Sequence, residues 1–220
     1  MSFIANSQND FCGIRNNSFQ SGEQLYYNVY YTLAGVYVNA GHVTFSTNLK
    51  QWEGTATYHV VGEGGTRPSY DWIYKVRDRY ETYIDTATMQ PLRFIRNINE
   101  GGDKKLEQVH FNRTTNVAAT NKGTYKIPAC VQDVLSAIYY ARNINFNNYK
   151  KGERIPFSIF LDNEVHNVYI RYMGRERVKT KYGIFTTIKF KPLLIEGTIF
   201  SGGERMTVWV TDDANRVPVR

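Results

Sequence analysis

The C-terminal residues 183–220 alternate apolar and polar side chains, and this period of two most constrains the fold of the chain. In its first segment, Ile184, Ile188 and Phe190 fall on one side, while Thr187 and Lys189 fall on the other. Successive side chains of a β-strand point to opposite faces of a sheet. The pattern therefore predicts a sheet with one dry face and one wet face.

The same alternation recurs over most of the chain and predicts an all-β fold. One departure lies between residues 128 and 143, where Val131, Val134, Leu135, Ile138 and Tyr139 recur at helical spacing. We predict a single antiparallel β-barrel or half-barrel of about a dozen strands, because a sheet of that size tends to curl. The predicted domain covers residues 22–220 after an N-terminal extension 1–21, with one amphipathic helix near 129–143. The strands are predicted at 24–33, 36–38, 43–45, 55–61, 70–77, 79–84, 92–98 and 106–111 before the helix and at 155–161, 168–172, 184–191 and 206–211 after it, with C-terminal turns at 201–203 and 212–215.

Composition and motifs exclude several classes of function. The net charge is +7 and arises in residues 142–191, which carry eleven Lys and Arg against four Asp and Glu. This positive charge would be complementary to an anionic partner. The same Lys and Arg residues can also simply occupy the solvent-facing positions of strands. No nucleic-acid-binding motif accompanies them. No apolar stretch approaches the length of a spanning helix. The four histidines lack metal-site spacing, and no cofactor motif or catalytic signature is present, so we expect no metal, no cofactor and no enzyme.

The two cysteines, Cys12 and Cys130, leave three alternatives open. They can form a disulfide, which would suit an exported protein, or remain two unlinked thiols. Cys130 also lies near the predicted start of the helix, where a helix dipole lowers a thiol pKa. A nucleophilic role is the least expected of the three, because no partner base lies nearby in sequence.

Aromatic residues supply the candidate binding site. Ten of the seventeen tyrosines lie between residues 26 and 83, interleaved with two tryptophans. Such rings can stack on sugars or line an apolar pocket, and nearby arginines can contact anions. Half-buried strands also favour tyrosine, so a purely structural role stays open. The predicted ligand-binding residues are Tyr70, Trp72, Tyr74, Arg79, Tyr83 and Arg93.

Four segments resemble a family of exported proteins from Gram-negative envelopes, common in the Bacteroidetes and known as domain-of-unknown-function family number 3108. The similarity runs from about residue 22 to the end and includes the motifs at 78–81, 91–93, 130–133 and 211–216. The resemblance implies an antiparallel barrel-like fold and a periplasmic or envelope location. Residues 1–10 do not read as a secretion signal, so either the protein is cytoplasmic or a signal was removed, and the resemblance implies the second. We also expect that the chain is cut short at its C-terminal end. The matching segments are GEQLYYNVYYTLAGVYVNAGHVTF, DRYETYIDTATMQPLRFIRNINEG, CVQDVLSAIYYAR and GRERVKTKYGIFTTIKFKPLLIEGTIFSGGERMTVWVTDDANRVPVR.

Together these observations predict a non-catalytic binding module for a lipid, glycolipid or glycan, without nucleic acid and without a transmembrane segment. The alternative is an envelope assembly protein that has a filled core and contacts a protein partner through its surface. The interior volume would separate the two, because a carrier needs an apolar cavity of several hundred cubic ångströms.

Overall fold

The computed structural model describes residues 12–33, 36–196 and 201–220. That part of the chain is mainly β-structure with one α-helix, which confirms the predicted fold class. Residues 1–11 of the predicted extension lie outside the described residues. The strands are β1 Gln24–Leu33, β2 Val36–Trp52, β3 Thr55–Thr66, β4 Arg77–Asp85, β5 Pro91–Glu100, β6 Asp103–Asn112, β7 Val117–Thr120, β8 Gly123–Lys126, β9 Arg154–Leu161, β10 Glu164–Thr180, β11 Gly183–Pro192, β12 Leu194–Glu196, β13 Ser201–Gly203 and β14 Val208–Thr211, and the helix is α1 Val134–Ala141.

The chain divides into two compact units. Unit 1 contains Met1–Phe19, Ala87–Met89 and Pro128–Arg220, and unit 2 contains Gln20–Thr86 and Gln90–Ile127. Unit 2 is therefore almost continuous in sequence, whereas unit 1 is assembled from both ends of the chain. The single domain predicted over residues 22–220 stays a prediction.

Unit 2 is one antiparallel sheet in which each strand pairs with the next, in the order β1 to β8. One face carries a buried apolar row, because Val60, Thr82, Phe94 and Val109 lie opposite one another on β3 to β6 and are almost fully buried. The other face carries the side chains of the alternate positions. That second face holds most of the candidate site.

Unit 1 contains a four-stranded antiparallel sheet in the order β14-β11-β10-β9, with α1 packed against β9. The helix begins after Asp133, whose carboxylate accepts hydrogen bonds from the backbone N–H groups of Leu135 and Ser136. The Ser136 hydroxyl accepts one in return from the Asp133 backbone N–H at 2.9 Å, which completes a capping box. This cap explains why the helix is shorter than the predicted 129–143. Ile138, predicted on its buried stripe, is 44% exposed.

The N-terminal segment is fastened to unit 1. A disulfide joins Cys12 to Cys130, with their Cα atoms 5.5 Å apart. The Ser18 hydroxyl donates to the Arg142 carbonyl at 2.8 Å, and the buried Arg142 guanidinium donates to the carbonyls of Ser18 and Asn215. A covalent bond and several hydrogen bonds therefore hold residues 12–19 beside the helix.

Several local predictions are wrong. Residues 70–77, predicted as a strand, form a short 3₁₀ turn and a loop before β4 begins. Thr187, predicted on the wet face, is buried, and its hydroxyl donates to the Glu176 carbonyl at 2.7 Å. Ile184, predicted on the dry face, is 58% exposed because it lies near the hairpin end of β11. Residues 201–203, predicted as a turn, pair with β12 as β13.

Candidate functional site

The second face of the unit 2 sheet, opposite the buried apolar row, carries a row of aromatic and basic side chains across four strands. His59 on β3 lies opposite Tyr83 on β4, Tyr83 opposite Arg93 on β5, and Arg93 opposite His110 on β6. Directly opposed residues of antiparallel strands point to the same face. The register of the sheet therefore gathers four residues that are far apart in sequence.

Trp52, at the end of β2, completes this row. Its ring centroid lies 4.9 Å from that of Tyr83, and the Arg93 guanidinium lies 4.5 Å from the centre of the indole. Arg93 also donates through Nη2 to Gln108 Oε1 at 3.1 Å. Within the described residues it has no carboxylate partner. The stack and the amide therefore hold a charged guanidinium in place without a direct ion pair.

A groove of about 550 Å³ opens beside Trp52 and Arg93. The Trp52 indole N–H is buried, and none of the described residues accepts a hydrogen bond from it. At one side, His110 Nε2 lies 3.6 Å from Glu53 Oε2. The groove thus combines an aromatic ring, a cation and hydrogen-bonding groups. It is lined by Trp52, Glu53, Arg93, Leu106, Gln108, Val109, His110, Ala119, Thr120 and Asn121.

A chain of charged residues continues the row on the side of β3 and β4. His59 Nε2 lies 2.8 Å from Glu81 Oε2, and Arg79 Nε donates to Glu81 Oε1 at 2.8 Å. Arg79 also forms an ion pair with Glu63. The His59 ring stacks on Tyr83, with the two centroids 4.4 Å apart. These contacts fix the ring against which Trp52 packs.

Burial and hydrogen bonding shift the pKa values of this pair in the same direction. Burial lowers the pKa of His59 below its ordinary value, and the hydrogen bond to Glu81 offsets only part of that effect. For Glu81, burial alone would raise the pKa, but hydrogen bonds from Arg79 and His59 outweigh it and lower the pKa overall. At neutral pH the pair is thus a neutral imidazole that donates to an ionised carboxylate.

The structure separates the six predicted ligand-binding residues into two places. Arg79, Tyr83 and Arg93 lie on the second face of the sheet, although only Arg93 lines the groove. Tyr70, Trp72 and Tyr74 lie in the loop between β3 and β4, here called the aromatic loop and defined as residues 67–76.

Of the ten residues that line the groove, sequence reasoning named only Arg93, and the residues it missed include Trp52, Gln108 and His110. Each follows the alternation of its strand, so nothing in the local pattern separates it from an ordinary exposed residue. The available signal was a tryptophan next to the Glu53-Gly54 turn, where a large ring at a hairpin end can fold back over its sheet.

A second cleft, of about 530 Å³, lies in unit 1. Its walls are mainly aliphatic, with Val165 and Val168 from β10 and residues 193–195 from the segment that ends in β12. His166 and Asn167 supply its polar groups. None of the predicted ligand-binding residues lies in it.

The described residues hold no group of three or more His, Cys, Asp or Glu side chains placed to bind a metal ion. Among them, too, no helix has the length and apolar character to cross a bilayer.

Comparison with known proteins gives one result. The family model described as "Protein of unknown function (DUF3108)" matches residues 26–220. No curated protein and no solved structure matches the chain. The match spans both units, so the groove and the aromatic loop both lie within the family region.

Proposed function

The chain belongs to the DUF3108 family, and from this premise we propose that it is an exported, non-catalytic binding protein of the cell envelope that holds a glycan in the groove beside Trp52. The single observation that carries the proposal is the make-up of the groove. An aromatic ring and a guanidinium stand there together with the amide, hydroxyl and imidazole groups of Gln108, Thr120, Asn121 and His110.

Saccharides suit this set of side chains. The C–H face of a sugar packs on aromatic surface, and its hydroxyls pair with amides and imidazoles, which both donate and accept hydrogen bonds. The volume of about 550 Å³ falls within the roughly 300–1,000 Å³ that is usual for small-molecule sites. A ligand hydroxyl that reached the Trp52 N–H would also satisfy a buried donor, which is otherwise unfavourable.

Location outside the cytoplasm is part of the proposal, and the Cys12–Cys130 disulfide supports it. Disulfides persist in oxidising compartments such as the bacterial periplasm and are rare in the cytosol. The pair closes a loop of more than one hundred residues, about half of the chain. Thiol trapping in intact cells, with and without reductant, tests this part.

Calorimetric titration with soluble oligosaccharides tests the binding. Neutral and uronic-acid-containing oligosaccharides would be compared, because Arg93, which has no direct ion pair among the described residues, should favour a carboxylate. Trp52→Ala should weaken binding by about tenfold or more, the factor expected when an aromatic contact is removed. Because Trp52 also packs on Tyr83 and Gln108 holds Arg93, the exposed residue Asn121 provides the variant that leaves this packing intact, Asn121→Ala.

The matched control is Trp72→Ala, a second tryptophan of the same unit that lies outside the groove. Glycan affinity should not change in this variant. If all the oligosaccharides failed to bind, or if the Trp52 and Trp72 variants weakened binding equally, the groove would not be the glycan site.

The aliphatic cleft of unit 1 favours a second candidate, a lipid. The side chains of Val165, Val168 and residues 193–195 would contact an acyl chain rather than a sugar. Organic extraction of protein purified without detergent, followed by mass spectrometry, would detect a stoichiometric lipid. An empty extract together with failed glycan binding would shift the proposal to an assembly role through the protein surface.

A further inference from the structure

The aromatic loop of unit 2 holds three large apolar side chains in solvent. Trp72 is 82% exposed, Ile73 is 50% exposed and Tyr74 is 45% exposed. Three consecutive residues of this kind are unfavourable in water and contribute little to the core of the unit. Packing within the unit therefore does not explain why these side chains are apolar.

Specific contacts hold the loop in one conformation. Thr66 donates through its hydroxyl to Asp71 at 2.6 Å, and Arg77 binds both carboxylate oxygens of Asp71 at 3.1 and 2.7 Å. The backbone N–H of Ile73 donates to the Tyr70 carbonyl at 3.0 Å. Because the loop is already ordered, burying its tip elsewhere would lose little conformational entropy.

The base of the loop is also fixed to the neighbouring β5–β6 hairpin. The Gly101 N–H donates to the Lys75 carbonyl at 2.8 Å, and the Tyr74 ring lies directly over Gly101. A Cβ atom at position 101 would come within 2.5 Å of Tyr74 Cε2. A side chain at this position would therefore displace the ring.

The tip of the loop is chemically apolar even where it carries a polar atom. The indole N–H of Trp72 donates to the Ser69 carbonyl at 3.0 Å, so its own loop already satisfies it. Burial of the ring in an apolar phase would therefore leave no indole N–H without a hydrogen bond. Ile73 beside it offers only aliphatic surface.

Cations flank this tip. The Arg67 guanidinium donates to the neutral amides of Asn39 and Asn28, and Lys75 has no carboxylate within ion-pair distance among the described residues. Asp71, the acidic residue of the loop, is already paired with Arg77. Residues 67–76 thus carry two cations against one acidic side chain that is already paired, and this balance within the loop is complementary to a surface of anionic headgroups.

We propose that the aromatic loop docks the protein on a lipid bilayer that carries anionic headgroups, with Trp72 and Ile73 at the headgroup boundary and Arg67 and Lys75 against the phosphates. Tryptophan and tyrosine are enriched at this boundary in membrane proteins. Apolar burial and attraction to anionic lipid add together in such interfacial binding. This surface is separate from the glycan groove, because Trp52 lies beside the first residue of β3 and the aromatic loop follows its last.

Co-sedimentation with vesicles tests the proposal. The full chain, with its disulfide intact, would be mixed with vesicles of phosphatidylcholine alone or with 30% phosphatidylglycerol. We expect binding to the anionic vesicles that weakens as salt is raised, because the attraction is screened. Trp72→Ala should lower the partition constant by about tenfold or more, the factor expected for a large side chain that leaves the apolar phase. Lys75→Gln should lower it by a few-fold on anionic vesicles only.

The matched control is Leu49→Ala, which removes a large side chain of the same unit that is 56% exposed and lies outside the loop. Its partition constant should equal that of the unaltered protein. Fluorescence of a variant in which Trp72 is the single tryptophan, Trp52→Phe with Trp209→Phe, adds a direct readout. Brominated lipids should quench its emission, and the emission should shift to the blue on binding.

Three outcomes would overturn the proposal. The first is absence of binding to anionic vesicles at low salt. The second is an equal loss in the Leu49 and Trp72 variants. The third is vesicle binding without quenching of Trp72. The glycan titration is independent of all three, because it uses soluble oligosaccharides and depends on Trp52.

Discussion

Removal of the Cys12–Cys130 disulfide should lower the free energy of unfolding by about 3–5 kcal/mol. The two cysteines are separated by 118 residues. In the chain-entropy relation, closing a loop of that size removes roughly 16 cal/mol/K from the unfolded chain, or about 5 kcal/mol at 25 °C. Residual structure in the unfolded chain brings the expected value toward the lower end of the range.

Urea unfolding of the Cys12→Ser/Cys130→Ser double variant and of the oxidised protein measures this difference. Far-ultraviolet circular dichroism would follow the sheets, and tryptophan fluorescence would follow Trp52, Trp72 and Trp209. Ser18→Ala is the matched control, because it removes a hydrogen bond to the Arg142 carbonyl from the same segment and leaves the covalent bond. It should lose only about 1 kcal/mol.

Three results would refute the reasoning. A loss below about 1 kcal/mol in the double variant would mean that the disulfide does not restrict the unfolded chain as its span predicts. Alkylation of both thiols in the folded protein without reductant would show that the bond does not form. A loss in Ser18→Ala as large as in the double variant would assign the effect to packing of the segment.

Three further predictions concern pH, a buried amide and the helix cap. The pKa of His59 is lower in the folded protein, so the unfolded chain binds the proton first as the pH is reduced. The free energy of unfolding should therefore decrease as the pH falls below about 6.5. The lowered pKa of Glu81 should add a second decrease below pH 4.5, the ordinary pKa of a glutamate. A melting temperature that rose between pH 6.5 and 5, or a His59→Gln variant with the same pH profile, would contradict this. The Gln132 side chain is fully buried, and no described residue forms a hydrogen bond with its amide. Gln132→Leu should therefore leave the free energy of unfolding unchanged or raise it by up to about 2 kcal/mol. A loss measured by urea unfolding would mean that buried water satisfies the amide. Asp133→Ala should lose about 1–2 kcal/mol in the same assay because it removes the cap of α1, and Asp133→Asn, which keeps the acceptor oxygen, should recover most of that loss.

Alternation predicted most strands because local pattern carries that information. It failed where tertiary contacts override it: Thr187 is polar yet buried, because its hydroxyl finds the Glu176 carbonyl on the neighbouring strand. Tyr70, Trp72 and Tyr74 alternate like strand residues, but the Asp71–Arg77 ion pair and the Pro68 turn close them into a loop. A pattern of side-chain types does not encode such contacts.

The site was predictable only in part for the same reason. Tyr83 and Arg93 could be named from their residue types, but their neighbours Trp52 and His110 follow from strand register, which sequence alone leaves open. The cysteine pair shows the same limit. Sequence left three alternatives for Cys12 and Cys130, and a Cα separation of 5.5 Å is information that only the fold supplies.

The division of the chain into units has a consequence for biosynthesis. Every residue of unit 2 has been made once the chain reaches residue 127, so its sheet can form while the rest of the chain is still being synthesised. Unit 1 cannot form until nearly all of the chain has been made. Residues 12–19 pack beside α1, and β14 Val208–Thr211, near the C-terminal end, pairs with β11. Until then Cys12 has no partner. The protein should therefore fold from its middle outward, and a nascent chain stopped before residue 130 should display a free thiol at Cys12.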